Sequence, residues 1–268
     1  MRRHGWLAVT LAMAVAMSAH AQDAREVPPD PTDDPLVIAA GFLSAHPDLQ
    51  YRMHGLEAYK RGELEKAFGY FRRAAFYADK PSQGMVAEMY WGGQGLPRDP
   101  VQAYIWMDLA AERGYTGFLG LRERYWAGLS AEEQARAVEE GQSVYAVYGD
   151  AAAKPRIATT IRRAAKRMTG SRTGATIGNL QVVVPGPGGS EMLLDGMKFY
   201  DKRFWDPDEY QKWQDSVWAK PRIGKVTVGE VQPVEEPLPA VRSRVPSIDP
   251  DHDAVEPELP PDSEGPGM

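Results

Sequence analysis

The amino-acid sequence predicts a mainly α-helical protein: a short α-solenoid of helix-turn-helix repeats, followed by a small α+β segment and a disordered tail. Three observations lead to this prediction. A tetrapeptide that begins with Tyr and ends with Gly recurs at 59–62, 90–93 and 125–128. A second set of Ala and aromatic positions recurs at an offset of 36 residues, as expected for stacked repeats. Beyond residue 169 the sequence becomes rich in turn residues, and the helical spacing of apolar residues weakens.

The composition limits the classes to which this protein can belong. The chain has 268 residues, of which 43% are hydrophobic and 10% aromatic, which suits one core with extensions. The absence of Cys excludes disulfides, zinc-thiolate sites and cysteine nucleophiles. The formal net charge of −6 gives no reason to expect nucleic acid as a partner.

Residues 1–21 have the pattern of a secretory signal peptide. Two arginines precede the apolar run 6–17, and the small residues that end at Ala21 form a cleavage site. We therefore expect a periplasmic or secreted protein that does not span a membrane after cleavage, with 22–34 as a flexible linker. An uncleaved membrane anchor is the alternative, but the apolar run is short for a membrane span.

Residues 35–168 are predicted to form the solenoid. The apolar stretch 35–46 predicts a leading helix that covers the open edge of the first repeat. The stretch 157–168 predicts a closing helix with Pro155 near its start, in the first turn. Each Tyr-to-Gly tetrapeptide is typical of a helix end that is stopped by Gly. The positions predicted to pack in the repeats are Tyr59, Gly62, Ala67, Tyr70, Ala74, Ala75, Tyr90, Gly93, Gly95, Ala103, Trp106, Ala110, Ala111 and Gly114.

The middle repeat has the most specific pattern. The stretch 84–99 contains Gly-Gly-Gln-Gly-Leu shortly before an Asp, and the pattern continues through Ala103, Trp106, Ala110-Ala111 and Gly114. It resembles a Sel1-like repeat, a relative of the tetratricopeptide repeat.

The resemblance extends, more weakly, to both neighbouring units and covers about 51–148. The unit 51–80 has a shorter loop and is closer to a plain tetratricopeptide repeat. The unit 115–148 lacks the Trp and the Ala pair, and its second helix opens with a capping box formed by Ser130 and Glu133.

Together with the signal-peptide pattern, the resemblance implies an exported, non-enzymatic adaptor. Arrays of this kind generally hold a protein or peptide partner on a concave face, and two layers of helices leave a groove lined by the first helix of each unit. We expect the partner to lie in the cell envelope. Trp91 and Tyr104 are candidate exposed contacts, because Tyr90 and Trp106 take the packing positions of the repeat. The alternative is an enzyme, or its accessory subunit, that acts on envelope polysaccharide or peptidoglycan.

A basic stripe is a second candidate binding surface. Arg162, Arg163, Lys166 and Arg167 lie at i, i+4 spacing on the closing helix, in a stretch without acidic residues. Such a stripe can meet anionic glycans or lipid headgroups. The alternative is a solvated helix face that is partly neutralised by the acidic tail.

The C-terminal half predicts a small α+β segment at 169–231. Short strands are predicted at 175–184, 198–200 and 224–229, and a helix is predicted to begin after Asp206 with Pro207 in its first turn. The Pro-rich, acidic stretch 232–268 contains almost no aromatic residues and predicts a disordered tail.

No catalytic, cofactor-binding or metal-binding residue is predicted, and no cofactor is expected. His46, His54 and His252 lack a second His or carboxylate at metal-ligand spacing, so structural or solvated roles are favoured. The Gly-rich loop 185–189 lacks the Gly-Lys-Ser/Thr ending of a phosphate-binding loop, and the chain has no Gly-x-Ser-x-Gly motif.

Overall fold

The computed structural model describes residues 30–169, 180–219 and 242–260. The predicted signal peptide, the predicted strand at 224–229 and the predicted tail residues 232–241 and 261–268 lie outside the described residues. Within them, the fold is mainly α with a two-stranded antiparallel sheet in the C-terminal part, which confirms the predicted fold class.

The N-terminal two thirds of the described chain form a short helical solenoid. Helix α2 packs on α3 and α4 packs on α5, as predicted for two helix-turn-helix units, while α6 and α7 each pack on α5. The helices are α1 (Pro35–Ala39), α2 (Pro47–Lys60), α3 (Leu64–Phe76), α4 (Lys80–Gly92), α5 (Pro100–Ala111), α6 (Thr116–Ala127), α7 (Ala131–Tyr148) and α8 (Asp150–Thr169).

The helix ends lie where the local sequence predicts them. Gly62 follows α2 and Gly93 follows α4, both with positive φ, and Gly128 follows α6. Gly114, after α5, has a φ of 74°, and the equivalent position after α3 is Ala78 with a φ of 68°. These left-handed residues end one helix and turn the chain toward the next.

Side-chain caps fix the opposite ends of the helices. Asp79 and Asp99 accept backbone amides in the first turns of α4 and α5. At α7, Ser130 accepts the Glu133 amide and the Glu133 carboxylate accepts the Ser130 amide, which confirms the predicted capping box.

The small residues of the repeats are buried between the helices. The pairs Ala74-Ala75 and Ala110-Ala111 are at most 2% exposed. Trp106 is 3% exposed, and its ring centroid lies 4.6 Å from that of Tyr148. Ala67 and Ala103 are also buried, and Tyr59, Tyr70 and Tyr90 are partly buried against the same core.

Both capping helices differ from the prediction. The leading stretch 35–46 is not one helix: α1 ends at Ala39, Gly41 adopts a φ of 87°, and a 3-10 turn follows at Phe42–Ala45. Helix α8 begins at Asp150, so Pro155 lies inside it and not in its first turn. The Asp150 amide donates to the Glu112 carboxylate, which fixes the start of α8 ahead of the proline.

The C-terminal segment contains one hairpin and three helices. Strand β1 (Gln181–Pro185) pairs antiparallel with β2 (Glu191–Asp195), and α9 (Gly196–Phe199), α10 (Lys202–Trp205) and α11 (Pro207–Trp218) follow. The predicted helix start at Asp206 and Pro207 is confirmed. The predicted strand at 198–200 is wrong, because Asp195 caps a helical turn there by accepting the Met197 amide.

A second core joins this segment to the two capping elements. Phe42 from the 3-10 turn, Ile157 and Ile161 from α8, Phe199 from α9 and Tyr210 from α11 are all at most 1% exposed within one cluster. The elements predicted as separate front and rear caps therefore share a core with the C-terminal helices.

Residues 242–260, here called the C-terminal strap, lie against the solenoid without forming a helix or strand. Val245 is 5% exposed, the Asp251 amide donates to the Ala146 carbonyl, and the Arg73 guanidinium donates to the Pro257 carbonyl. The prediction of a disordered tail therefore does not hold for these residues. The strap has no core of its own, but α3, α5, α6 and α7 supply charged and aromatic partners for it.

Candidate functional site

A groove with a volume of about 430 Å³ runs along the first helix of each repeat unit. It is lined from α2, α4 and α6, and one end is closed by α11 and the residues before α1. The lining residues are Asp30, Thr32, Arg52, Met53, Leu56, Phe71, Pro81, Gly84, Met85, Glu88, Met107, Phe118, Leu121 and Trp218.

The exposed part of the groove is apolar. Met53 and Leu56 lie three residues apart on α2, and Phe118 and Leu121 have the same spacing on α6, so each pair shares one helix face. Leu56 is 40% exposed although it is a large apolar residue. Met85 lines the groove between these pairs, and the thioether of Met adapts to ligands of different shape.

Gly84 determines how closely α6 approaches α4. A Cβ atom at this position would lie 2.8 Å from the Phe118 ring, which is too close for an unstrained contact. The glycine therefore lets the Phe118 ring lie against the backbone of α4 and form one wall of the groove.

Trp218 brings the C-terminal segment to the groove. Its ring lies 6.4 Å from the Phe118 ring, nearly parallel, and 5.7 Å from the Arg52 guanidinium. Arg52 is held by Asp79 at 2.8 Å. Helix α11 is fixed beside α6, because the Tyr115 hydroxyl donates to the Asp215 carboxylate.

The sequence-predicted contact residues lie outside this groove. Trp91 is half-buried and stacks on Tyr125 with ring centroids 4.2 Å apart. Tyr104 is fully buried, which contradicts its predicted exposure. Helix α5 packs against α4, α6 and α7 together, so every side chain in its central turns faces a neighbour.

The basic stripe is exposed on α8, as expected for a solvated helix face. All four residues, Arg162, Arg163, Lys166 and Arg167, are exposed. Arg163 borders a shallow surface pocket that also contains His252 of the strap. The structure therefore brings the stripe near the strap and not near the groove.

His46 has a structural environment, whereas His54 and His252 are exposed. His46 is fully buried, with Nδ1 2.9 Å from the Phe42 carbonyl oxygen and Nε2 2.7 Å from that of Phe204. Burial lowers the pKa of His46 to about 4 and outweighs both carbonyl contacts. The described ranges 30–169, 180–219 and 242–260 contain no cluster of three potential metal-ligating side chains.

The groove residues on α2 and α6 are not predicted, because they lie outside the positions that the repeats share. The signal that could have identified them is the pair of apolar residues at i, i+3 on α2 and on α6. Trp218 lies on the helix that is predicted to begin after Asp206, and its place in the groove depends on tertiary structure.

The repeats of this chain match a known family. The family model of the Sel1 repeat matches residues 50–75 and 81–115. The chain contains Sel1 repeats. The matches cover α2 with α3 and α4 with α5, the two Sel1 units that form most of the groove floor.

Sel1 repeats generally mediate protein–protein interaction. No curated protein and no solved structure matches the chain. Among the described residues, no helix is both long and apolar enough to cross a membrane.

Proposed function

We propose that this protein is a non-enzymatic adaptor that holds an apolar peptide segment of a partner protein in the groove along α2, α4 and α6. The observation that supports this most is the apolar lining from three successive first helices, with Leu56 40% exposed. Grooves of a few hundred Å³ with an apolar lining and a few polar groups are typical of ligand sites.

The lining defines the chemistry of the peptide. Met53, Met85 and Phe118 accept bulky apolar side chains, because thioether and ring surfaces gain from burial and not from directional bonds. Arg52 and Glu88 are charged residues of the same lining and favour a peptide with polar residues beside its apolar one. The partner segment therefore carries at least one large apolar residue between polar ones.

The proposed location is the cell envelope, in the periplasm or outside the cell. The signal-peptide pattern of residues 1–21 supports this location. Mass spectrometry of protein recovered from the envelope should show a chain that begins at Gln22. An intact N-terminus with its two arginines would contradict export by cleavage.

An anionic surface is a second candidate partner, through α8. Arg162, Arg163, Lys166 and Arg167 are all exposed on one helix, which favours electrostatic contact with anionic lipid headgroups or glycans. Reversal of all four charges should abolish salt-dependent binding to anionic vesicles without changing the melting temperature. Unchanged vesicle binding would contradict this role.

The groove is tested by selecting peptides on the full chain and measuring their affinity for two variants. Leu56→Asp places a charge on the groove floor at a position that tolerates it, because the side chain is partly exposed. Met197→Asp is the matched control, since Met197 is 60% exposed on α9 and does not line the groove. We expect selected peptides to lose at least about tenfold in affinity with Leu56→Asp alone, about 1.4 kcal/mol. Equal affinity for both variants would contradict the proposal.

A further inference from the structure

The strap enters a pocket where α5, α6 and α7 meet, and Arg244 is its central contact. The two Nη atoms of Arg244 donate to the two carboxylate oxygens of Glu123, at 3.0 and 2.6 Å. The guanidinium also lies 4.7 Å from the centroid of the Trp126 ring. A bidentate carboxylate together with an aromatic platform is a specific way to recognise an arginine side chain.

The residues on either side of Arg244 are recognised as well. The Ser243 hydroxyl donates to the carboxylate of Asp108, a fully buried residue that also accepts the Tyr145 hydroxyl at 2.9 Å. Val245 is 5% exposed and lies directly over α7. The pocket therefore offers a hydrogen-bond acceptor to Ser243, a carboxylate and an aromatic ring to Arg244, and an apolar slot to Val245.

Gly141 makes the apolar slot on α7. A Cβ atom at this position would lie 2.7 Å from a methyl carbon of Val245, so any side chain there would obstruct the strap. The helix thus contains a glycine in its middle, which weakens a helix, at the point where the strap approaches its backbone.

The pocket is held in shape by the solenoid itself. Arg122 lies 2.8 Å from Glu123 and 3.4 Å from Asp108, so both carboxylates keep a cationic neighbour that does not belong to the strap. The Trp126 ring rests on Tyr104, with centroids 4.8 Å apart. A segment from another protein would therefore meet the same arrangement of groups.

The ion pair at the centre of the pocket is partly exposed to solvent. The side chains of Arg244 and Glu123 are 27% and 37% exposed. Salt screens a pair with this exposure, and solvent reaches it, so another guanidinium can take the place of Arg244. The strap is held at this point by contacts that a competing segment can replace one for one.

We propose that this pocket is a binding site for an extended peptide segment of the type Ser-Arg-Val, with a hydroxyl residue, an arginine and a β-branched apolar residue in succession. Residues 243–245 occupy the site within the chain, and a partner segment of the same chemistry displaces them. The pocket is separate from the groove along α2, α4 and α6, so it does not depend on the adaptor proposal.

The test uses the full chain with its own strap displaced by two substitutions, Arg244→Glu and Val245→Asp. A fluorescent peptide with the sequence of residues 242–249 is added, and binding is followed by anisotropy. The wild-type strap competes at an effective concentration on the order of 1 mM. We therefore expect the peptide to bind the double variant at least about tenfold more tightly than the wild-type chain.

Two substitutions on the double variant test the chemistry of the pocket. Glu123→Gln should weaken peptide binding at least about tenfold, and Glu139→Gln, at an exposed position on α7, should not. A peptide that carries Arg244→Lys should also bind more weakly, because Lys cannot donate to both oxygens in a planar pair. Equal binding to wild-type chain and double variant, or binding to neither, would overturn the proposal, as would insensitivity to Glu123→Gln.

A second measurement does not need the displaced strap. The Val245 amide donates to the Ser243 hydroxyl at 3.0 Å and reports on the seated strap. In the otherwise wild-type chain, Glu123→Gln should increase hydrogen exchange of this amide severalfold, while exchange in α5 and α7 stays unchanged. Unchanged exchange at Val245 would show that Glu123 does not hold the strap and would overturn the assignment.

Discussion

At the scale of single residues, two left-handed positions explain how the repeat turns are built. Gly114 and Ala78 follow the second helices of successive units with nearly the same φ. This conformation strains an L side chain, because its Cβ approaches the following carbonyl oxygen. Ala78 nevertheless adopts this conformation. The residue is 4% exposed within the second core, so packing offsets the strain there.

Gly114→Ala should therefore lower the free energy of unfolding by about 1 kcal/mol. Within the described part of the chain, no atom lies within 4 Å of a Cβ at Gly114, so the expected effect comes from the backbone. Gly120→Ala is the control, since Gly120 lies in the second turn of α6 with equal space and should gain stability from helix propensity. Urea denaturation measures both, and effects of the same sign would contradict the left-handed assignment of Gly114.

Asp48 is the second informative residue. It is 2% exposed, its Oδ2 accepts the Tyr210 hydroxyl at 2.5 Å, and Oδ1 has no hydrogen-bond partner among the described residues. Burial, together with repulsion from Asp79, raises the pKa of Asp48 from 3.8 to about 7. The native carboxyl thus keeps its proton at pH values where the unfolded chain has lost it.

Because the native state binds the Asp48 proton more tightly, the free energy of unfolding of the wild-type protein should fall as the pH rises from about 4 to about 7. Asp48→Asn removes the titration and keeps an acceptor for Tyr210. The free energy of unfolding of the variant minus that of wild type should therefore rise by about 2 kcal/mol from pH 5 to pH 8. Denaturant unfolding at both pH values measures this, and a pH-independent difference would contradict a buried, protonated Asp48.

At the scale of elements, an ion network joins α4, α5 and α8. Lys80, which is 1% exposed, lies 2.7 Å from Glu112 and 3.1 Å from Asp150, and Arg113 contacts Asp150 at 2.8 Å. Burial alone would raise the pKa of Asp150, but Lys80 and Arg113 outweigh it and hold the pKa well below its usual range. These ion pairs therefore connect α8, which contributes to the second core, with the repeat units.

Asp150→Ala should lower the free energy of unfolding by about 3 kcal/mol or more, because two buried cations lose their shared partner. Glu139→Ala on exposed α7 surface is the control and should change stability by less than about 0.5 kcal/mol. Thermal or urea unfolding measures both. A neutral Asp150→Ala would show that Glu112 suffices for both cations.

The paired alanines test the repeat alignment directly. Ala110 is fully buried between helices, so Ala110→Leu should lower stability by about 1–3 kcal/mol through overpacking. Ala135, exposed on α7, is the control for the same substitution. Equal melting temperatures for the two variants would contradict the close helix contact.

The elements that the sequence predicts well are those with local causes. The helix ends at 59–62 and 90–93 and the capping box at Ser130 follow from residues within one turn, and all are found. The predicted strand at 198–200 fails because the Asp195 cap outweighs β propensity over three residues. The break at Gly41 depends on packing against α8 and the C-terminal helices, which the sequence does not show locally.

At the scale of the whole molecule, the repeats present two different surfaces. The first helices form an apolar groove that ends at Trp218, and the strap lies on the second helices α3, α5 and α7 and on α6. Sequence reasoning predicts that a groove exists, because it follows from two layers of helices. It does not predict Trp218 or the strap, since both reach the solenoid from segments distant in sequence.

The central claim is that a peptide with bulky apolar side chains binds in the groove, and the methyl groups of methionine provide the most direct test. Met53 and Met85 line the groove, whereas Met192 and Met197 are exposed on β2 and α9 away from it. In a methyl NMR titration of the full chain with a selected peptide, the Met53 and Met85 signals should shift with a common affinity while those of Met192 and Met197 stay fixed. Shifts confined to Met192 and Met197, or binding without any shift at Met53 and Met85, would contradict the account.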